Sequence, residues 1–277
     1  MTANLGLPRI LCLHGGGVNG TVFRLQCRAI IAALLPRFRL VFADGAFPSP
    51  PHDAISHVYG EYGPFFRWLR WKPDHDDIPA ALASRRIVDC CRRAMDADPG
   101  SGPWVAILGF SQGAKIAASL LWAQEHQPPE ARPLPDADFR FGVLMAGSAP
   151  VVVLDTRDDG AESPRARVVP PHMVDAAHLS LSVPPIPDGA SDPWPASNKH
   201  GEHLLSIPTL HVHGLQDPGI DKHRLLFEKY CAEGTARLVQ WDGNHRLPIK
   251  THDVALVVGE LMQVAVETGV LDSDSLE

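Results

Sequence analysis

The sequence has no apolar run long enough to cross a membrane and no block of lysines or arginines. A membrane-spanning helix needs about 20 predominantly apolar residues, so no transmembrane segment is expected. The charged side chains sum to −7, with 25 lysines and arginines against 32 aspartates and glutamates, which gives no electrostatic reason to bind a phosphate backbone. The first residues also lack the charged and apolar regions of a signal peptide. We therefore expect a cytoplasmic protein that binds neither membranes nor nucleic acid.

Cysteine is also scarce. The five cysteines include no CxxC pair and are scattered along the chain, at Cys12, Cys27, Cys90, Cys91 and Cys231. An odd, scattered set is typical of reduced thiols in a cytosolic protein and argues against a zinc ribbon or a disulfide framework. Apolar residues, by contrast, make up 45% of the chain. This is enough for a full core, and it excludes the fibrous and disordered classes.

Short β-branched, apolar runs alternate along the chain with segments of helical periodicity. The predicted strands are residues 10–13, 40–43, 105–108, 141–146, 209–213 and 237–241. Helices are predicted over 23–34, where apolar residues recur on one helical face, over 114–124, and over 252–266. This alternation is typical of a parallel sheet covered by helices on both faces. We therefore predict an α/β fold, as one domain over residues 1–277.

Two segments depart from the alternation. Residues 60–71 are crowded with aromatic side chains, and we interpret them as a loop or short helix that lines a pocket, with Tyr62, Phe65 and Trp68 as candidate substrate contacts. An ordinary packed satellite of the core is the alternative, since aromatic residues also dominate cores. Residues 151–206 are long, loose and rich in proline. Such insertions are usually lids, binding loops or disordered segments, and we interpret this one as a cap within the domain.

The strongest local motif is Gly109-Phe110-Ser111-Gln112-Gly113, which follows a predicted strand and precedes a predicted helix. This is the G-x-S-x-G arrangement of a nucleophile elbow in its strand-turn-helix context. The serine has to stand in a strained turn with Oγ above the sheet, and the glycines let strand and helix approach each other. The alternative is a helix N-cap serine between two turn glycines. Ser111 is the candidate nucleophile.

An acylated serine needs N–H donors for the negative charge of its tetrahedral intermediate. In the elbow fold one donor is the residue after the nucleophile, here Gln112, and the other lies in a glycine-rich loop after an earlier strand. His14-Gly15-Gly16-Gly17 follows the first predicted strand. We assign Gly16 as the second donor, with Gly17 as the alternative. The P-loop pattern GxxxxGK[ST] is absent, which argues against a phosphate-binding loop of that kind.

The general base and its acid are expected later in the chain, in the order Ser, then Asp or Glu, then His. Asp217 lies in a turn-rich loop after strand 209–213, and His245 lies in the loop after strand 237–241. Parallel strands bring such loops to one edge of a sheet. We therefore predict a Ser111, Asp217 and His245 triad. Asp242 is a competing acid because it lies close to His245 in sequence.

Metal ligands are not evident. His211 and His213 alternate on one predicted strand, but two ligands are too few for a zinc site and no HExxH motif accompanies them. We expect no metal and no other cofactor.

The residues also resemble the fungal-type serine hydrolases of the FSH group, which includes thioesterases encoded with polyketide synthases. The likeness extends over most of the chain. It is carried by Leu13-His14-Gly15 with Asn19, Phe23 and Gln26, and by residues 40–45, 60–71, 109–113, 208–217 and 243–248. The resemblance implies an α/β-hydrolase fold with Ser111 as nucleophile, Asp217 as acid and His245 as base.

The resemblance further implies hydrolysis of an acyl thioester or ester, with a polyketide chain on a synthase carrier domain as the first candidate substrate. A carboxylesterase acting on small free esters is the second candidate. A non-catalytic binding protein on a hydrolase fold is the third. The sequence predicts neither the acyl chain nor the oligomeric state.

Overall fold

The computed structural model describes residues 4–156, 169–179 and 201–276. The strands in these ranges are β1 (Arg9–Leu13), β2 (Arg39–Ala43), β3 (Phe47–Ser49), β4 (Phe65–Arg67), β5 (Trp104–Phe110), β6 (Phe141–Met145), β7 (Val152–Val153), β8 (Val174–Asp175), β9 (Thr209–Gly214) and β10 (Ala236–Trp241). The α-helices are α1 (Gly20–Gln26), α2 (Arg28–Leu34), α3 (Asp53–Tyr59), α4 (Ala80–Ala97), α5 (Gln112–His126), α6 (Ile220–Lys229) and α7 (Thr251–Glu267).

Six strands form the central sheet, in the order β10-β9-β6-β5-β1-β2. Every neighbouring pair in it is parallel. The six strands predicted from the sequence are these six, with each end shifted by no more than two residues. The predicted α/β-hydrolase fold class is therefore confirmed. Parallel strands need crossover connections, which here carry the helices.

The inner strands of the sheet are buried on both faces. Along β1, Ile10 and Cys12 point into one apolar cluster, which includes residues of α1, α2 and α7. Leu11 and Leu13 point into the other, which includes residues of α4 and α5. Alternate residues of a strand face opposite sides of its sheet, so a strand covered on both sides has to be apolar throughout. This is why β1, β5 and β6 are almost continuously apolar, whereas the edge strand β10 also carries Arg237 and Gln240.

The helix predicted over residues 23–34 is two helices. They are separated at Cys27, whose backbone (φ −79°, ψ 3°) ends α1 and precedes α2. Phe23, Cys27, Ile30 and Leu34 are nonetheless all buried in one cluster. The prediction identified the correct face and missed the break.

Residues 60–71 are neither a simple loop nor a single short helix. A 3₁₀ turn at Gly60–Tyr62 leads into β4, which pairs antiparallel with β3 as a small ribbon beside the main sheet. Phe65 and Phe66 lie in β4, and Trp68 and Trp71 follow it. The predicted loop or helix is therefore wrong for Phe65–Arg67.

The proposed cap at residues 151–206 falls partly outside the described residues, which do not include 157–168 and 180–200. In the parts described, β7 and β8 form a two-stranded parallel pair, and the side chains of Val151, Leu154 and Leu205 are buried. The interpretation as a cap stays a prediction. None of the helices in the described ranges combines the length and the apolarity needed to cross a bilayer.

Candidate active site

Ser111 stands at the sharp turn between β5 and α5. Its backbone has φ 55° and ψ −116°. A non-glycine residue that adopts this conformation destabilises the fold by roughly 1–3 kcal/mol. The Ser111 N–H donates a hydrogen bond to the Met145 carbonyl at 2.8 Å. A Cβ on Gly109 would lie 2.4 Å from the Gly113 carbonyl oxygen, and a Cβ on Gly113 would lie 2.1 Å from that of Leu13. Both glycines are therefore required for strand and helix to approach this closely.

The structure brings the three predicted triad residues together. His245 Nε2 lies 2.9 Å from Ser111 Oγ, and His245 Nδ1 lies 2.6 Å from Asp217 Oδ2. Both distances are those of hydrogen bonds. Ser111 follows β5, Asp217 follows β9 and His245 follows β10, so three loops meet at the carboxyl edge of the sheet.

The loops that carry Asp217 and His245 are joined to each other. The Leu215 N–H donates to the Trp241 carbonyl at 3.0 Å, and the Gln216 N–H donates to the Gly243 carbonyl at 2.8 Å. Gly214 lies so close to the second loop that a Cβ there would be 2.6 Å from Asn244 O. The acid and the imidazole are therefore positioned by one connected piece of backbone.

Asp217 is buried, with 3% of its surface exposed. Burial by itself raises the pKa of this carboxyl, but the hydrogen bonds from His245 and from the Gly219 N–H, the latter at 2.8 Å, lower the pKa overall. The carboxylate is therefore the stable form, as an acid that orients an imidazole requires.

Asp242, the competing acid, makes no hydrogen bond to His245 among the described residues. It is exposed, and its Oδ1 accepts a hydrogen bond from Gln216 Nε2 at 2.5 Å. Its side chain joins the two loops from the outside, and Asp217 is the carboxylate in contact with the imidazole.

The two glycines considered as oxyanion donors differ in their contacts. The Gly17 N–H donates to the Phe66 carbonyl at 2.8 Å, and its φ of 70° is one that favours glycine. No described residue accepts a hydrogen bond from the Gly16 N–H, and Gly16 lines the cavity in front of Ser111. Gln112 is the first residue of α5, where a backbone N–H has no partner within the helix. The geometry favours Gly16 with Gln112 over Gly17.

His14 holds the glycine loop from behind. Its ring is fully buried, with Nδ1 2.6 Å from the Gly15 carbonyl oxygen, and Nε2 accepts from the Gly45 N–H at 2.8 Å. A proton on Nδ1 satisfies both contacts, and burial lowers the pKa of this imidazole to about 4. His14 is therefore a neutral anchor of the loop, outside the cavity.

The Gln112 side chain has a role that the sequence did not indicate. Its Oε1 accepts from the backbone N–H groups of Trp68 and Leu69 at 2.6 and 3.1 Å, and its Nε2 donates to the Leu69 carbonyl at 3.1 Å. Trp68 in turn donates from Nε1 to the His14 carbonyl at 2.8 Å. The elbow, the glycine loop and the chain after β4 are thus joined by buried hydrogen bonds. The signal that could have pointed to this arrangement is the glutamine directly after the nucleophile serine, a polar residue at the start of a mostly apolar helix.

A cavity of about 840 Å³ opens in front of Ser111. Its lining is apolar over much of its extent, through Val18, Ile55, Val58, Tyr59, Trp71 and Leu247. Among the described residues, four cations also line it, Arg28, Lys72, Lys222 and Arg246, against one carboxylate, that of Asp53.

The three predicted substrate contacts do not line this cavity. Phe65 and Trp68 are buried in the two apolar clusters, whereas Tyr62 is 47% exposed on the surface. Tyr59 and Trp71, which flank them in sequence, are the aromatic residues of that segment that reach the cavity. The assignment of Tyr62, Phe65 and Trp68 as pocket residues therefore has to be corrected.

His211 and His213 lie in the core beneath the site. Burial lowers their pKa values to about 3 and about 4, so both rings are neutral. The His211 Nε2 contacts Thr209 Oγ1 at 3.1 Å and Cys231 Sγ at 3.3 Å. Within the described ranges, the group with metal-ligand spacing is a different one, formed by Asp217, His223 and His245.

Comparison with known proteins places the chain in a family. The family model for serine hydrolases of the FSH1 type matches residues 2–256. The esterase citA of Monascus ruber is 45% identical, and the alignment covers 96% of this chain and 95% of that one. The esterase claE of Penicillium crustosum is 43% identical, with coverages of 97% and 96%. The structure of acyl-protein thioesterase 2 from Zea mays is 15% identical with a TM-score of 0.51, covering 94% of each chain, and shares the fold.

Proposed function

The chain belongs to the FSH1 family of serine hydrolases, and from this premise we propose that it cleaves an acyl thioester or ester with Ser111 as nucleophile, His245 as base and Asp217 as acid. The observation that carries the proposal is the continuous pair of hydrogen bonds from Asp217 through His245 to Ser111 Oγ, at 2.6 and 2.9 Å. An elbow serine without a base would be an ordinary helix N-terminus.

In the acylation step Ser111 Oγ forms a bond to the substrate carbonyl carbon while its proton passes to His245 Nε2. The carbonyl π electrons move to the oxygen, and the backbone N–H groups of Gly16 and Gln112 donate hydrogen bonds to it. Collapse of this intermediate breaks the bond to the thiolate or alkoxide, which takes the proton from His245. Water then repeats the sequence on the acyl-enzyme and releases the carboxylic acid. Asp217 keeps the Nδ1–H tautomer in place throughout.

The proposed substrate is an acyl chain held as a thioester on the carrier domain of a polyketide synthase. The apolar cavity suits the acyl group. The four cations that line it, in a protein with a net charge of −7, suit the phosphate on the arm by which carrier domains present their substrates. Five free, buried cysteines support a cytoplasmic location for this reaction. Residues 151–206 are proposed to cap the site.

A carboxylesterase acting on small free esters is the second candidate. The names of the relatives favour it, since claE and citA are both called esterases. The two functions share the same triad and differ in what occupies the outer part of the cavity.

The nucleophile assignment predicts that Ser111→Ala removes all covalent labelling by a fluorophosphonate. The variant should also lose ester hydrolysis, by roughly 10⁴-fold or more, because removing the nucleophile of a triad leaves only binding and oxyanion stabilisation. Ser148→Ala is the matched control, since Ser148 lines the same cavity without contact to His245. Labelling that persists in Ser111→Ala, or that is lost in Ser148→Ala, would contradict the assignment.

The substrate class is tested by comparing one acyl group in three forms: on a carrier protein, on free pantetheine and as a p-nitrophenyl ester. The carrier-bound thioester should give a kcat/KM at least tenfold above that of free pantetheine thioester, about 1.4 kcal/mol of additional binding in the transition state. Equal values for these two thioesters, with fast turnover of the small ester, would favour the carboxylesterase.

A further inference from the structure

A second imidazole lies next to the triad carboxylate. His223 Nδ1 is 3.8 Å from Asp217 Oδ2, too far for a hydrogen bond. The residue is 2% exposed, and Nδ1 is buried with no hydrogen-bond partner among the described residues. Buried polar atoms in proteins are normally paired. This unpaired nitrogen indicates that the position can accept a ligand.

His223, His245 and Asp217 together resemble a set of metal ligands. One ligand atom from each of the three side chains lies within 4.8 Å of the other two. Two imidazoles and one carboxylate form the ligand set of many zinc sites that keep a fourth position for water. His223 and His245 both line the cavity. Because His223 Nδ1 is itself buried, an ion enters from the cavity by displacing the more exposed ring of His245.

We propose that Asp217, His223 and His245 form an inhibitory binding site for Zn²⁺. In a tetrahedral site with bonds of about 2.1 Å, ligand atoms lie roughly 3.4 Å apart. The 3.8 Å between His223 Nδ1 and Asp217 Oδ2 is already close to this. The 2.6 Å between Asp217 Oδ2 and His245 Nδ1 has to widen by roughly 0.8 Å.

His245 is able to make this movement. It lies in the loop between β10 and α7, and its side chain is 35% exposed. Asp217 remains fixed by the hydrogen bond from the Gly219 N–H to its other carboxylate oxygen. The fourth position on the ion opens into the cavity and takes a water molecule.

Zinc inhibits by changing the tautomer of His245. This part of the proposal rests on the proposed function, in which His245 is the base. Zinc takes the place of the proton on Nδ1, and a neutral imidazole then carries its one proton on Nε2. Nε2 is the atom that has to accept the Ser111 proton, so the zinc-bound ring cannot act as base. The Nδ1–H bond is lost to water and an Nε2–H bond forms from water, so the ring gains and loses one proton, and removing the ion restores the original tautomer.

The test begins with equilibrium dialysis of the metal-free protein against ZnCl₂. We expect one zinc ion per chain, bound over the same concentration range that inhibits hydrolysis of a p-nitrophenyl ester, with activity restored by EDTA. MgCl₂ at the same concentrations should neither bind here nor inhibit, because Mg²⁺ prefers octahedral oxygen ligands.

Two variants remove the third ligand, His223→Gln and His223→Phe, and thermal melts followed by circular dichroism check that each is folded. Zinc affinity in dialysis should fall at least tenfold in both, since even changes behind the ligands cost about 10–100-fold. Inhibition, measured against each variant's own metal-free rate, should weaken by the same factor.

His52→Asn is the matched control. His52 lines the same cavity but does not belong to the ligand group, and asparagine preserves the cap that His52 Nδ1 provides to the Ala54 N–H. Zinc binding should be unchanged in this variant.

The outcomes are separable. The zinc site is overturned if the wild-type protein takes up no zinc, if the His223 variants bind it as tightly, or if His52→Asn abolishes binding. Bound zinc without inhibition overturns the tautomer argument. A metal-free wild-type protein that hydrolyses neither the carrier-bound thioester nor the p-nitrophenyl ester overturns the proposed function and leaves the dialysis result intact.

Discussion

At the scale of single residues, the contact between Asp217 and His245 determines which imidazole nitrogen faces the serine. With Asp217 accepting from Nδ1–H at 2.6 Å, Nε2 is left without a proton and can accept one from Ser111. An asparagine at 217 has an NH₂ group that can donate to Nδ1. It would then favour the opposite tautomer.

We therefore predict that Asp217→Asn lowers kcat severely while Asp242→Asn does not. A change of the same kind in another triad lowers kcat by about 10⁴-fold, and a loss of this order is expected here for ester hydrolysis. Among the described residues the Asp242 carboxylate hydrogen-bonds Gln216 of the opposite loop and not His245, so its amide variant should keep the kcat of the wild type. A large loss in Asp242→Asn with a small one in Asp217→Asn would reverse the assignment of the acid.

Most of this residue-scale arrangement could be anticipated because triads follow a chain order and stand at strand ends. The contacts of the Gln112 side chain with Trp68 and Leu69 could not, because they depend on where residues 60–71 fold back against the elbow. The pocket residues were wrong for a related reason. Aromatic character indicates burial, but it does not separate a side chain packed in the core, such as Trp68, from one that borders a cavity, such as Trp71.

At the scale of elements, α5 carries a lysine in the core. Lys115 is 1% exposed, and its Nζ donates to the Pro150 carbonyl at 3.0 Å. Burial lowers the pKa of this amine from 10.5 to about 7, with a smaller contribution from Lys222. Between these two values the unfolded chain binds one more proton than the folded chain. The free energy of unfolding therefore rises with pH across this window, by up to about 1.4 kcal/mol per pH unit.

Lys115→Met should remove that rise. The variant is expected to be more stable than the wild type at pH 7, and the difference should shrink as the pH increases. Urea unfolding of both proteins between about pH 7 and 8.5 measures it. The buried thiols, whose pKa values burial raises, are the same in both proteins and cancel in the difference. Lys250→Met, at an exposed lysine before α7, should show no such change. A stability difference independent of pH would mean that Lys115 is charged in the folded protein throughout.

The elements of the central sheet were predictable because a parallel strand buried on both faces is continuously apolar. The long helix α4 was not predicted, although Ala83, Ile87, Cys91 and Met95 recur on its buried face. Arginines and aspartates between them give the segment a polar average, so only its periodicity indicates the helix. The break at Cys27 leaves the apolar spacing intact, and no pattern of hydrophobicity could have located it.

At the scale of the whole molecule, the net charge is negative whereas the lining of the cavity is positive. A chain of net charge −7 repels anions at long range, whereas Arg28, Lys72, Lys222 and Arg246 line the cavity. Charges of this kind act over about 8–10 Å at moderate salt and are screened as salt increases. Their effect is therefore expected on binding more than on the chemical step.

We predict that Arg28→Gln combined with Arg246→Gln raises KM for a carrier-bound thioester and leaves kcat unchanged. The KM of the wild type for the same substrate should rise with added NaCl, and that of the double variant should rise less. A neutral p-nitrophenyl ester serves as the control substrate, and Arg140→Gln, at the amino end of β6, as the control variant. Equal changes in KM for the charged and the neutral substrate would show that the arginines contribute through packing and not through their charge.

The connection between the loops after β9 and β10 has a consequence for how this architecture can diversify. Because Leu215 and Gln216 are bonded to the chain around Trp241 and Gly243, an insertion or a change of curvature in either loop displaces acid and imidazole jointly. Natural variation can therefore remodel that wall, and with it the range of molecules admitted, while the pair stays coupled. The distance between His245 and Ser111 is more sensitive to such changes, because Ser111 lies between β5 and α5 and is not part of these two loops.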